Sequence, residues 1–438
     1  MQLKNSNSRI SMDRNNIIIA NYAGVNTGDN AIFICIFKEI KEVLGTDIFL
    51  MADNDLSLKS KYPIEDSVRI FDFYKISNWK KINKFLKKSR LVIYGGGDIV
   101  NKNFTSISFL NLAKLLGLPL VVWGVGVVPI NSFLLRYYVQ RVLNQAEIIL
   151  VRDQISKNLL NNMGVVKPQV KVINDLAILL NPNLKDNQLI NYLKDIPTST
   201  LKIGLNIRNF DELYSSHSKW SEEDLLRGTA KICDYFVDKF DAHIICLPMV
   251  IRERSVDYHP NLTTDDQLME KLIPLMENPD KIITLKGDYT PEDLLGLINK
   301  LDLIVAMRLH ALILGANAGV PLLAFNYAPK VGSFMSSIEL SDCVLNMENI
   351  TNREKITDTL DVLDDIITRI DRGNYKIGLK RYECDNKAFK NLVRNSLKNR
   401  PKVGWRIHFF IPIMVVVSAM NYLYQTIILI KQVKNRLK

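Results

Sequence analysis

Residues 301–330 read LDLIVAMRLHALILGANAGVPLLAFNYAPK. Residues 303–307 are a short, wholly apolar run, the pattern of a strand buried on both faces of a parallel sheet. Arg308-Leu309-His310 follows at its end, and an Ala-, Leu- and Gly-rich segment to Ala318 continues as a helix. Gly319-Val320-Pro321 turns the chain into a second apolar run, 322–325, with Lys330 just beyond it. Open α/β sheets bind ligands outside the carboxyl ends of their strands, and Arg308, His310 and Lys330 all fall at such ends. One titratable imidazole between two fixed cations suits an anionic substrate that also needs a proton moved. Taken singly, each would read as an ordinary surface or structural side chain. Their joint occurrence with a second anion-binding pattern near the N-terminus gives them weight.

That second pattern follows an apolar strand at 16–20. The turn NYAGVNTGDN, residues 21–30, is polar and glycine-bearing, and 31–44 continues as a helix. A glycine loop opening a helix offers free backbone N–H groups to an anion or a sugar oxygen. Asn26 and Gly28 are placed there as binding positions. Asp29 has two readings, as the cap of that helix or as a base accepting a hydroxyl proton. The loop matches neither the dinucleotide nor the Walker pattern, so no nucleotide follows from it. Strands are expected at 47–52 and 68–71. The apolar run 91–94 enters Gly95-Gly96-Gly97-Asp98, where three glycines let a ligand approach the backbone closely. After a helix over 109–116, the strand 120–123 leads to a further glycine loop, GVGVVP. The strand 147–151 ends in Arg152-Asp153, which puts Arg152 at another carboxyl end and Asp153 at the cap of the next helix. Residues 170–173 lead into Asn174-Asp175-Leu176-Ala177.

Strand–loop–helix alternation of this kind means parallel, Rossmann-like α/β domains. An N-terminal domain is expected over 14–180 and a polar linker with Pro182 and Pro197 over 181–200. A second domain over 201–348 has strands at 202–208, 243–247 and 282–285 and a helix at 291–300. Residues 258–266 read as a loop, and His259 within it is a further candidate for substrate contact. A charged helical segment over 349–400 and a hydrophobic, basic-flanked tail over 401–438 complete the chain.

Composition sets the class. Hydrophobic residues at 47% and charged residues at 24% of 438 describe a globular chain with room for two cores. Five scattered cysteines, odd in number and never in a CxxC arrangement, point to reduced thiols in the cytosol. The opening MQLKNSNSRISMDRNN has no apolar core, so no secretory signal is expected. The net charge is +11, six of it from 401–438, and the body shows no interleaved basic and aromatic patch. Nucleic acid is therefore not an expected partner. No His/Asp cluster stands at metal-ligand spacing, so no metal is expected.

The motifs GVNTGDNAI, YGGGDIV, WGVGVVP, VRDQIS, NDLAILL, GLNIR and AMRLHALILGANAGVPLLAFNYAPK resemble the polysaccharide pyruvyl transferase family over residues 17–340. The resemblance implies two Rossmann-like domains facing a cleft, the glycosyltransferase-B-like arrangement. It implies phosphoenolpyruvate as donor, a sugar hydroxyl pair as acceptor, and no cofactor beyond that co-substrate. By matching motif, the donor-site Arg of the RD pair is Arg152, the RLH pair is Arg308 and His310, and the later Lys is Lys330. In this reading His310 and Asp29 are catalytic. Arg152, Arg308, Lys330, Asn26, Gly28, Gly95, Gly96, Gly97 and Asp98 bind substrate. The N-terminal domain holds the acceptor side and part of the donor site, and the second domain holds the rest of the donor site. Asp98 after the glycine triplet and Ala328 before Pro-Lys depart from the family pattern. Two rival readings stand beside this one: a nucleotide-sugar glycosyltransferase of the same architecture, and a catalytically silent subunit of a polysaccharide assembly complex. The presence of Arg152, Arg308, His310 and Lys330 together counts against the second.

The tail departs from an ordinary soluble enzyme. Residues 409–430 contain no Asp, Glu, Lys or Arg, and as a helix would extend about 33 Å, enough to cross a bilayer core. Ser418, Asn421 and Gln425 form one polar stripe at helical spacing. A spanning helix on a cytosolic enzyme would put Lys431, Lys434, Arg436 and Lys438 outside, against the positive-inside tendency. The expectation is a peripheral or monotopic enzyme of the cytoplasmic membrane face, with Trp405, Tyr422 and Tyr424 near the interface and a lipid-linked acceptor favoured. A helix packed back on the protein is the alternative, and the polar stripe suits it too.

Overall fold

A computed structural model describes residues 16–98, 100, 104–209, 220–255, 263–352, 355–371, 376–378 and 410–436. Among them the chain divides into two compact α/β units, the first taking in 16–22, 38–173 and 410–436 and the second 23–37 and 174–378.

The first unit is built on seven strands: β1 (Asn16–Ala20), β2 (Ile48–Ala52), β3 (Asp66–Arg69), β4 (Ser89–Gly95), β5 (Leu120–Val125), β6 (Ile148–Val151) and β7 (Gln169–Val172). Their order across the sheet is β3-β2-β1-β4-β5-β6-β7, and every pairing is parallel. β1 and β2, NIIIA and IFLMA, are buried at every position, as central parallel strands covered on both faces must be. The second unit has β8 (Lys202–Asn206), β9 (His243–Cys246), β10 (Ile282–Thr284), β11 (Leu303–Ala306), β12 (Leu322–Asn326) and β13 (Val344–Asn346). Its order is β10-β9-β8-β11-β12-β13, again wholly parallel. In each sheet the chain reverses its direction of growth once, between β1 and β4 and between β8 and β11. Those reversals are where the carboxyl ends of a doubly wound sheet leave room for a ligand.

The two parallel-sheet domains expected from the sequence are thus present, and most differences lie at boundaries. The first helix runs Thr27–Leu44, because the polar residues read as a loop form its opening turn. The helix expected over 109–116 begins at Phe104, and β3 stops at Arg69, with a 3-10 turn over Ile70–Asp72. Residues 174–180, expected in the N-terminal domain, lie in the second unit, where Asn317 Nδ2 donates to the Leu180 carbonyl (2.9 Å). The expected linker 181–200 carries a 3-10 helix, Gln188–Leu193, and is fastened to the same unit. Asn187 Nδ2 donates to the carbonyls of Asn183 and Asp293, both at 2.8 Å. The Asn187 side chain satisfies one carbonyl of its own segment and one of a neighbouring helix, which composition alone could not distinguish from solvation.

Of the charged segment 349–400, the helices Met347–Thr351 and Ile356–Asp371 are described and residues 379–400 are not. His259 and Trp405 lie outside the described residues. The tail forms a helix, Phe410–Arg436, whose Phe410, Met414 and Val417 enter the apolar core of the first unit. Among the described residues, no helix is long and apolar enough to cross a membrane.

Candidate functional site

In the second unit the turn after β1 is fastened down before its helix begins. Thr27 N and Oγ1 both donate to the Met249 carbonyl (2.8 and 2.9 Å), and Asn26 bridges Val250. Asn26 Oδ1 accepts from Gly28 N (2.8 Å), so Asn26 takes the capping role that Asp29 was one candidate for. Asp29 is half-buried inside the first turn. Arg254, 2% exposed, donates through Nη2 to Thr27 Oγ1 (2.7 Å) and lies over the ring of Tyr289. Burial pushes the Arg254 guanidinium below its ordinary value and the Tyr289 hydroxyl well above its own.

His310 is the second residue of the helix Leu309–Ala318. One side of its ring lies on Gly28, where an added Cβ would come within 2.1 Å of Cγ and Nδ1. Its Nε2 is 3.5 Å from Asp175 Oδ2. Asp175 is itself fixed, because its Oδ1 accepts from Ala177 N (3.0 Å) and caps the 3-10 helix Leu176–Leu179. An imidazole held between a glycine and an oriented carboxylate is equipped to take up and release a proton. The NDLAILL motif was legible, but nothing in it showed that Asp175 would face His310.

Arg308 is held more firmly than its place after β11 suggested. Its backbone N donates to Asn206 Oδ1 (2.9 Å), and Nε and Nη2 donate to Asp265 at 2.6 and 2.5 Å. Asp265 is fully buried and accepts also from Met249 N (2.9 Å) and Asn206 Nδ2 (3.3 Å). The charge of Arg308 is therefore balanced within its own unit, and two of its donors are committed to a carboxylate. Asp265 was expected in a loop over 258–266; it instead opens the helix Asp265–Leu272 behind a Thr264 capping box. Next along the sheet edge, Arg208 donates through Nη1 to the Tyr327 hydroxyl (3.0 Å) and lies 5.0 Å from its ring centroid. Lys330, in the first turn of the helix Pro329–Ser337, approaches the same ring at 5.8 Å. Arg208 was not singled out from the sequence, although GLNIR places it at a carboxyl end. Residues following β8, β11 and β12 thus supply Arg208, Arg308, His310 and Lys330 on both sides of the sheet's reversal point.

The first unit gathers the other predicted residues. Gly95 ends β4, and Gly96 and Gly97 have φ of 91° and 69°, a left-handed backbone that glycine adopts without strain. Arg152, 9% exposed, donates through Nη2 to Asp98 Oδ1 and through Nε to Asp153 Oδ2 (3.4 Å). A Cβ on Gly126 would come within 2.3 Å of Asp98 Oδ1, so the GVGVVP loop leaves room for this pair. Asp153 caps the helix Gln154–Asn162 as expected, accepting from Ser156 N (2.6 Å). Gly95, Gly96, Gly97, Asp98 and Arg152 come together here, while Asn26, Gly28, Asp29, Arg308, His310 and Lys330 belong to the second unit. Among the described residues no group of three or more His, Cys, Asp and Glu side chains is placed to hold a metal ion.

Solved structures share this architecture at low identity. Methanocaldococcus jannaschii UDP-GlcNAc 2-epimerase is 15% identical, covers 88% of this chain and 99% of its own, and superposes with a TM-score of 0.55. S. aureus MnaA, solved with UDP, is 12% identical over 87% of this chain and 97% of its own, at a TM-score of 0.58. A glycosyltransferase from Rickettsia africae is 14% identical over 92% and 99%, at 0.52. At such identities the likeness concerns the fold. No curated protein matches the sequence. The family model described as polysaccharide pyruvyl transferase matches residues 26–329, from the capping Asn26 through the RLH segment to Pro329. A match over most of the length, on the same residues that build both sheet edges, makes this chain a transferase of the polysaccharide pyruvyl transferase family.

Proposed function

We propose that the protein moves the enolpyruvyl group of phosphoenolpyruvate onto two hydroxyls of a sugar, in a cell-surface polysaccharide or its lipid-linked precursor, forming a pyruvate ketal and releasing phosphate. The observation that carries this reading is His310, held against Gly28 with Asp175 at 3.5 Å, at a sheet edge that also presents Arg208, Arg308 and Lys330.

The reaction needs one proton on the methylene carbon of the donor, two new C–O bonds at its central carbon, and loss of the C–O bond to phosphate. The two sugar hydroxyls supply two protons: one ends on the new methyl group, the other on phosphate. No other reactant is required. His310 is assigned the proton delivery, with Asp175 fixing the ring and balancing the imidazolium that forms. Asp29, half-buried in the turn beside Gly28, is assigned to the attacking hydroxyl. Donor carboxylate and phosphate are both anionic, and Arg suits bidentate contact with either, while Lys330 acts as a compact charge on phosphate. Gly95, Gly96 and Gly97 are assigned to a close backbone approach by a substrate oxygen, with Arg152 and Asp98 beside them.

The test is incubation of the full chain with phosphoenolpyruvate and candidate sugar acceptors. Phosphate release together with the mass gain of a carboxyethylidene group on the sugar is expected. Turnover of a nucleotide sugar, with phosphoenolpyruvate left intact, would replace this reading by the glycosyltransferase one.

A further inference from the structure

The C-terminal helix Phe410–Arg436 has two unlike halves. One is closed against the first unit. Phe410, Met414 and Val417 enter its core, Asn421 is fully buried, and Ser418 Oγ donates to the Tyr74 carbonyl (2.6 Å). The rings of Tyr422 and Tyr424 lie 5.1 and 5.2 Å from those of Tyr74 and Phe104. Two members of the polar stripe read from the sequence, Ser418 and Asn421, thus face the protein. The opposite half presents Ile411, Val415, Val416, Met420, Leu423 and Ile427, each between 43% and 64% exposed. No charged residue occurs between Phe410 and Ile430 to interrupt that face.

A second apolar surface adjoins it. Phe104, which meets Tyr424, also stacks on Tyr138 (5.0 Å), and the helix Phe133–Leu143 that carries Tyr138 leaves Phe133 and Leu134 79% and 76% exposed. Of nineteen exposed large apolar side chains among the described residues, ten lie on these two helices, so the exposure is concentrated and not scattered. A concentrated patch marks an interaction surface. Its charge indicates the partner. Residues 401–438 contain six Lys and Arg and no acid, four of them directly after the apolar run. An apolar face followed in sequence by a run of cations complements a bilayer with anionic headgroups, which offers hydrocarbon and negative charge side by side.

We propose that the first unit docks on an anionic lipid surface through this helix, lying in the plane of the interface, with Phe133 and Leu134 as a second contact. While its inner half is held in the core, the helix cannot cross the bilayer. Packing on the protein and lying on the membrane, alternatives at the level of sequence, become the two faces of one helix. Such docking would bring the enzyme to acceptors carried on lipid.

The test is flotation of the full-length protein with vesicles of phosphatidylcholine alone and of phosphatidylcholine mixed with phosphatidylglycerol. Binding to the mixed vesicles, weaker to the neutral ones and reduced by salt, is expected. Val416→Glu with Leu423→Glu should lower the bound fraction by about tenfold or more while the melting temperature stays near wild type. Phe133→Ser with Leu134→Ser, on the other helix, gives a second measurement that does not depend on the C-terminal helix folding, and should also weaken binding. Wild-type protein that binds neither vesicle overturns the proposal, as does undiminished binding by both variants. A stable dimer that the Glu variant splits, without vesicle binding, would assign the face to a second copy of the chain and overturn it too.

Discussion

The Cα of Gly28 stands so close to His310 that a single methyl group there would overlap the imidazole, at 2.1 Å from Cγ and Nδ1. The atoms met are the inner part of the side chain, with Cβ itself at 2.4 Å, so the ring cannot yield by swinging its far end. Gly28→Ala should therefore displace His310 and lower turnover about as much as His310→Gln, by ~10²–10⁴-fold. Steady-state rates checked beside a thermal melt decide it. A folded Gly28→Ala enzyme within a few-fold of wild type would mean that the ring position seen here is not the working one.

Asp175 is expected to act through His310. Asp175→Asn keeps an oxygen that can accept from Ala177 N, so the 3-10 helix cap and the stability should be nearly unchanged. The carboxylate facing Nε2 at 3.5 Å is replaced by a neutral amide. The maximal rate should then fall, with little change in donor binding. An unchanged maximal rate would reduce Asp175 to a cap.

The legible and illegible parts of this site differ for a physical reason. Central parallel strands are covered on both faces, so they read as unbroken apolar runs such as IIIA, FLMA and LIVA, and their carboxyl ends can be marked on the sequence. Hence Arg152, Arg308, His310 and Lys330 could be placed at strand ends. Their carboxylate partners could not. Asp98, Asp175 and Asp265 reach Arg152, His310 and Arg308 only after the sheets have assembled, and no local pattern announces a contact across 54, 135 or 43 residues. The helix start at Thr27 was missed because Thr, Gly, Asp and Asn favour loops until a cap and a tertiary anchor are supplied, here by Asn26 and the Met249 carbonyl.

Stability should carry a mark of His243, at the start of β9. Burial, with Lys281 nearby, holds its imidazole below the ordinary value of 6.5. The unfolded chain then takes up a proton before the folded one does. The stability it contributes is full above about 6.5 and declines as pH falls through the lower folded value. His243→Gln removes that dependence. Between pH 7 and pH 5 the melting temperature of wild type should fall more steeply than that of the variant, and parallel curves would show that His243 titrates alike in both states.

The Arg308–Asp265 pair should separate charge from geometry. Asp265 is fully buried and the Arg308 side chain is 12% exposed, so removing one partner leaves a poorly solvated charge. Asp265→Ala should destabilise the protein by about 3–5 kcal/mol, measured by denaturant unfolding. Arg308→Lys keeps the positive charge but cannot reproduce the two parallel bonds from Nε and Nη2, and it should be harmful in both stability and donor affinity. Lys330→Arg should be tolerated better, because an ammonium beside Tyr327 makes no bidentate contact there. Titration calorimetry with phosphoenolpyruvate distinguishes the roles. If Arg308→Lys weakens the fold but leaves donor affinity at the wild-type value, Arg308 serves only to hold Asp265 and takes no part in binding the donor.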